Sequence, residues 1–228
     1  MDCGGLLDLD PDLGRLNSRC AILGLGRLGL KVAGVTPRDL FYGVEFLTEL
    51  ADSAGINLVS GNLIDAGTSR RLFPDWAVLQ TAGGRIAVTS LAAYKPERRI
   101  NGIYGWSIVP PDSLLGINAL EIPAGVDFTV LLTDMEEGAL RELLAIYQEF
   151  DVAASSNWLF QTGGAFKVGK TLVIHPPQDG KELNWVAVDW SESAANRTQY
   201  FNQPVPQTRR MDRSMKIWLE NCLGRSIK

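Results

Sequence analysis

Histidine is almost missing from this sequence: His175 is the only one in 228 residues. One imidazole excludes a His-rich zinc or dinuclear metal centre. A Ser-His-Asp triad would have to use His175, and no G-x-S-x-G elbow accompanies it. It reads instead as an exposed histidine at a strand end, beside Pro176 and Pro177. Cysteine is scarce too. Cys3, Cys20 and Cys222 form no C-x-x-C pair and no haem-attachment motif, and their odd count reads as three unlinked thiols. No apolar run reaches the ~18 residues of a membrane span, and no signal-peptide pattern is visible. A basic surplus is also lacking. With 22 Lys and Arg against 26 Asp and Glu, the net charge is −4, which disfavours a general nucleic-acid binder. Repeats, low-complexity runs and clear linkers are absent as well.

What remains is an ordinary globular composition, 46 % hydrophobic and 21 % charged. A chain of this length can bury a core without staples and suits one large domain, or one with a small appendage. Asp10 as N-cap and Pro11 at the first helical position open a helix over about 11 to 28, ended near Gly29. "KVAGV" reads as a strand, "TPRDLFYG" as a loop, and "VEFLTELADSAG" as a helix closed by Gly55. "INLVSGN" is a buried strand of the parallel-sheet type. "WAVLQTAGGRIAVTSL" reads as a hairpin turning at Gly83 and Gly84. Residues 94 to 120 are less regular. "VDFTVLLTD", the helix "MEEGALRELLAIYQEF" and "DVAASSN" follow as strand, helix and strand. "WLFQTGG", "FKVGKTLVIH", a turn at "QDGK" and "ELNWVAVDW" read as hairpin strands. An irregular polar segment over 191 to 210 and a helix in "MDRSMKIWLENCLGR" close the chain. The order predicts a layered α/β structure.

"GLGRLG" at 24 to 29 fits the G-x-G-x-x-G dinucleotide fingerprint. That loop needs a strand before its first glycine and a long helix opening at its third. Here helix precedes Gly24, and only seven residues separate Gly29 from Pro37. The glycines therefore read as small residues where a helix packs closely on a sheet, with Gly29 as its stop.

"LGLKVAGVTPRDLFYGVEFLTELADSAGINLVSGNL" resembles a segment of the calcineurin-like metallophosphoesterases. It is most similar to the branch holding the 5′-nucleotidases, UDP-sugar hydrolases and the sulfur-oxidation thiohydrolase. Gly29, Leu30, Asp39, Leu40, Tyr42, Gly43, Asn62 and Leu63 fall in register with its "L-G-Y-D-A-x-x-x-G-N-H-[DE]-F-x-Y-G … A-N-L" pattern. "DCGGLLD" resembles the family's "D-x-G-D" turn, and the hairpin, the "VDFTVLLTD" block and "QTGGAFKVGKTLVIH" follow in family order. The match covers roughly residues 1 to 190. It implies a layered metallophosphoesterase-like α/β/β/α sandwich of mixed sheets, as a single domain over 1 to 228. The family's opening "D-x-H" strand lies upstream of Met1, so the start reads as cropped. Either an upstream segment of the same polypeptide, another protein or a second copy is expected on the sheet edge this leaves.

The family's chemistry uses two metal ions bridged by a carboxylate, which hold the phosphate and generate a hydroxide. The resemblance implies that this site is degenerate here. The bridging Asp falls on Gly5, the ligand Asn on Pro37 and its neighbouring His on Arg38, while the following acid survives as Asp39. Two further ligand histidines fall on Asp134 and Asn157, and another lands near Leu159. Asp39, Asp134 and Asn157 retain oxygen donors for at most a single hard cation. No cofactor is expected. Arg38, Asn62, Trp158 and Cys3 stand as ligand-binding candidates: a guanidinium for anions, an aromatic for stacking, a thiol on a glycine turn. Arg38 read structurally is a loop arginine or a partner of Asp39 or Asp134. "KPERR" at 95 to 99 reads as a solvated basic loop. The expected function is a non-catalytic binding or interaction module. The alternative is a divergent enzyme in the same cleft, a metal-dependent hydrolase of phosphoesters or nucleotides with altered ligands, or one using Cys3. The resemblance points toward a periplasmic or extracellular location.

Overall fold

The structure, a computed structural model, describes residues 1–95, 105–116, 120–157, 164–175, 182–192, 197–204 and 212–224. Two sheets lie face to face between two helical layers. The first sheet is short: β1 (Val32–Gly34) pairs in parallel with β2 (Asn57–Val59), and Asp2 bridges to Ala33 on the other side of β1. The second has six strands: β4 (Ala77–Gln80), β5 (Arg85–Leu91), β7 (Phe128–Thr133), β8 (Val152–Ser155), β9 (Ala165–Val168) and β10 (Thr171–Ile174), ordered β4-β5-β7-β8-β10-β9. Its four central strands are parallel and its edges antiparallel.

Between the sheets lie Val32, Val59, Val88, Phe128, Val130, Leu132, Val152 and Leu172. The β-branched share suits a pleated surface buried on both faces. On the outer side of the first sheet pack helices α1 (Gly14–Arg27) and α2 (Val44–Ala54). On the outer side of the second sheet pack α3 (Pro111–Gly116) and α4 (Glu137–Ile146). There Leu140, Leu143 and Leu144 of α4 meet Leu131, Ala153 and Val173. Each fully buried leucine contributes about 2 kcal/mol of burial. These layers give the α/β/β/α order that the resemblance implies.

Several local expectations change. Asp10 accepts hydrogen bonds from the N–H groups of Asp12 and Leu13, but it caps a turn, and α1 begins only at Gly14. The small residues of α1 face helices and not a sheet: Gly24 abuts Trp218, and Gly26 lies against the carbonyl of Ala54 in α2. Part of the 94–120 stretch forms β6 (Trp106–Ile108), antiparallel to β3 (Leu63–Asp65). "TPRDLFYG" holds one 3-10 turn, Pro37–Leu40.

"ELNWVAVDW" forms β11 (Glu182–Val188), but its partner is β12 (Thr198–Pro204), inside the segment read as irregular. β12 looks polar because its outward side chains include Gln199 and Gln203. Tyr200, with Val186, Val188 and Trp190 of the other arm, packs on the core between the sheets. Arg197 fixes this hairpin by a 2.7 Å ion pair to buried Asp151, with its guanidinium over Phe128. "QDGK" and most of "WLFQTGG" lie outside the described residues.

The closing helix α5 (Arg213–Leu223) buries no residue fully and rests on α1. Cys20 and Cys222 join the two helices as a disulfide, Cα to Cα 5.9 Å, which corrects the expectation of three unlinked thiols. No spacing rule connects positions 202 residues apart, so only the folded contact reveals the pair. The Arg27 guanidinium lies over the Trp218 ring, 5.4 Å from its centroid.

Candidate functional site

In a parallel sheet, ligands bind beyond the carboxyl ends of the strands. Here both sheets present those ends at one crevice. Residues that leave β2, and those that follow the Asp2 bridge beside β1, reach the ends of β5 and β8. The N–H of Gly61 donates to Ser90 O at 2.8 Å, and the Cys3 thiol donates to Ala154 O at 3.3 Å. The crevice therefore gathers the turn at 2–5, the turn at 36–39, the segment at 60–62, and the residues after β5, β7, β8 and β10.

Asp39 organises it. Thr36 and Asp39 form a capping box around the 3-10 turn that Pro37 opens. Asp39 is 1 % exposed, and its carboxylate takes four donors. Oδ2 accepts from Gly5 N at 2.8 Å, Thr36 N at 2.9 Å and Thr36 Oγ1 at 2.7 Å, and Oδ1 accepts from Leu6 N at 2.6 Å. The two turns are thus tied to each other through this one side chain. The left-handed backbone at Gly4 (φ 93°) and Gly5 (φ 81°) brings the first turn's N–H groups round to it. A Cβ at Gly4 would stand 2.7 Å from Gly34 O and 2.9 Å from Asp39 Oδ2. At Gly5 it would meet nothing within 4 Å. The position aligned with the bridging carboxylate is open.

Two more acids line the crevice. Asp2 accepts from Gly4 N at 2.8 Å. Burial pushes its carboxyl above the ordinary 3.8, with the Asp39 charge adding and the Gly4 N–H opposing. Asp134 accepts from Ala93 N at 2.6 Å. Burial raises its carboxyl as well, against the Ala93 N–H and the Lys95 ammonium, and the Asp39 charge adds. Asn157 donates from Nδ2 to Asp134 O at 3.0 Å, so these two aligned positions meet.

The remaining candidates are engaged in holding the fold. Asn62 is fully buried. Its amide donates to the carbonyls of Ala92 (2.8 Å) and Val109 (3.1 Å), and its Oδ1 accepts from Ala92 N at 2.9 Å. Arg38 is exposed and donates from Nε to Leu7 O at 3.1 Å, a carbonyl and neither Asp39 nor Asp134. Cys3 is part-buried. Burial of the thiol pushes its pKa up to about 12, with the Asp2 and Asp134 charges adding and the Thr133 backbone hydrogen bond opposing. Trp158 and Leu159 lie outside the described residues, as do all of "KPERR" but Lys95, which pairs with Glu136 at 3.3 Å.

Sequence reasoning passed over two residues here. Asp2, the first acid of the "D-x-G-D" match, enters the crevice itself. His175 follows Ile174, which pairs with Ala154, so the histidine sits at the carboxyl edge beside β8. It is partly buried, not exposed. The parallel pairing of β8 and β10 would have placed it there.

A dinuclear centre does not fit these residues. Gly5 and Pro37 offer no side-chain donor, and Asp39 is saturated by protein N–H and O–H groups. Among the described residues, no group of three or more His, Cys, Asp or Glu is placed to hold a metal ion.

No protein-family model matches the chain, and no curated protein matches it in sequence. Solved structures do match. A sulfate thiohydrolase from Thermus thermophilus superposes over 98 % of this chain and 42 % of its own, at TM-score 0.73 and 16 % identity. A 5′-nucleotidase precursor from the same organism covers 98 % of this chain and 48 % of its own, at 0.66 and 17 %. A calcineurin-like phosphoesterase from Bacillus subtilis covers 98 % and 80 %, at 0.67 and 11 %. The chain spans less than half the length of the first two. Two facing sheets, their flanking helices and a crevice at the strand ends make this the calcineurin-like, 5′-nucleotidase-type metallophosphoesterase fold.

Proposed function

We propose that this chain keeps a phosphoesterase scaffold without its dinuclear metal chemistry and serves as a binding or interaction module. The observation that carries the reading is Asp39. It aligns with an acid of the family's metal-binding loop, yet here its four hydrogen bonds stitch two loops of the chain together. The open position at Gly5 and the single histidine of the chain support the same reading. The partner is another protein or a further part of the same polypeptide. Thiol chemistry at Cys3 is disfavoured, because a thiol with a pKa near 12 holds its proton at neutral pH.

The Cys20–Cys222 disulfide supports an oxidising, extracytoplasmic compartment. No described helix is long and apolar enough to cross a membrane.

The test is elemental analysis of the purified protein, paired with nucleotidase and general phosphoesterase assays in manganese, zinc and magnesium. The expected result is no stoichiometric metal and no turnover. Near-stoichiometric metal with turnover would overturn the reading.

A further inference from the structure

On the helical side of the six-stranded sheet, where Leu120 and Phe150 pack with the α4 leucines, lies a pocket of about 450 Å³. That volume suits a small organic ligand. Its walls are aromatic and aliphatic: Trp76, Tyr147 and Phe150 with Leu120 and Ile122. Trp76 and Phe150 stack at 6.4 Å between centroids. The charged lining is Glu121 and Glu149, and among the described residues no Lys, Arg or His lines the pocket; the Trp76 indole N–H is buried without an acceptor, and the Tyr147 hydroxyl donates to Asp112 O at 3.1 Å. Both glutamates are exposed, and neither has a cationic partner among the described residues. Aromatic faces carry negative potential and attract cations, most strongly those with weakly hydrated, apolar surroundings. Aromatic rings, aliphatic walls and unpaired carboxylates therefore converge on one ligand chemistry.

We propose that this pocket binds an alkylated ammonium group, a compact organic cation with methyl or methylene carbons on its nitrogen. The rings and aliphatic side chains take the carbons, and Glu121 and Glu149 supply the counter-charge. The chemistry is the opposite of an anionic phosphoester's, so the site stands apart from the crevice and does not depend on the reading given for it.

Titration calorimetry and NMR of the full chain with choline test the proposal, against 3,3-dimethylbutanol, its uncharged isostere. Saturable choline binding is expected, with the isostere about tenfold weaker or more. Trp76→Ala should abolish binding. Because that variant opens a packed region, the Glu121→Gln/Glu149→Gln double variant provides the second test. It leaves the fold intact and should weaken choline about fivefold while leaving the isostere unchanged. Equal binding of choline and isostere, unchanged binding by the double variant, or no saturable binding at all would each overturn the proposal. A trimethyllysine peptide distinguishes the source: binding as tight as choline assigns the group to a protein side chain, and weaker binding assigns it to a free small molecule.

Discussion

Asp39 carries one negative charge and directs it inward. With both oxygens occupied by N–H and O–H groups, removing the charge removes charge-assisted hydrogen bonds that no water can replace. Asp39→Asn should cost about 2–4 kcal/mol, because one face of the amide then presents N–H to N–H. Chemical denaturation would read it as a lower midpoint at constant slope. Asp134 behaves oppositely. Its raised pKa means that the folded chain holds the proton more tightly than the unfolded chain does. The stability from this group is full below the ordinary 3.8 and is lost as pH rises through the folded value. Asp134→Asn keeps an oxygen for the Ala93 N–H, so it should raise the melting temperature at pH 7. The gap should close as pH falls toward 3.8. A melting temperature that falls at pH 7 would contradict this account. At this scale the sequence spoke only in part. The aligned positions do gather at the crevice, but Asn62 and Asp39 serve the fold. Nothing in residue type distinguishes a ligand-facing carboxylate from one turned toward backbone N–H groups.

Among elements, α1 shows what can be read early and what cannot. Its helical character and its stop at Gly29 follow from spacing, but its neighbours do not. Gly26 is small because α2 approaches it closely through Ala54. Gly26→Ala adds helix propensity of about 1 kcal/mol, yet its Cβ has no space beside the Ala54 carbonyl. A net loss of about 1–2 kcal/mol is expected from overpacking, visible in thermal melts; a gain would show that the two helices separate without penalty. β12 is the converse case. The segment "TQYFNQP" sets Tyr200 and Phe201 side by side on opposite faces and carries Thr198 and Asn202 on the face of Tyr200, so no apolar period of two marks it as a strand. Antiparallel partners far along the chain, such as β3 and β6, give no local signal. α5 depends on a link the sequence could not display. Reduction, or Cys222→Ser, should free it first, seen as rapid amide exchange over 213–223 while β5, β7 and β8 stay protected.

For the whole molecule, the sandwich was legible because strands buried on both faces are nearly continuous apolar runs. Five blocks in family order then set the layers. The disulfide adds a property of the chain taken as a line. It closes residues 20 to 222 into a covalent ring, a separation of 202 positions, and leaves residues 1–19 and 223–228 outside it. By loop entropy such a long closure is worth about 5 kcal/mol against the open chain. A protease cutting one surface loop would therefore linearise the ring without releasing a fragment. The nicked protein should run as one species on a non-reducing gel and as two after reduction, so its ends are the last part of it to come apart.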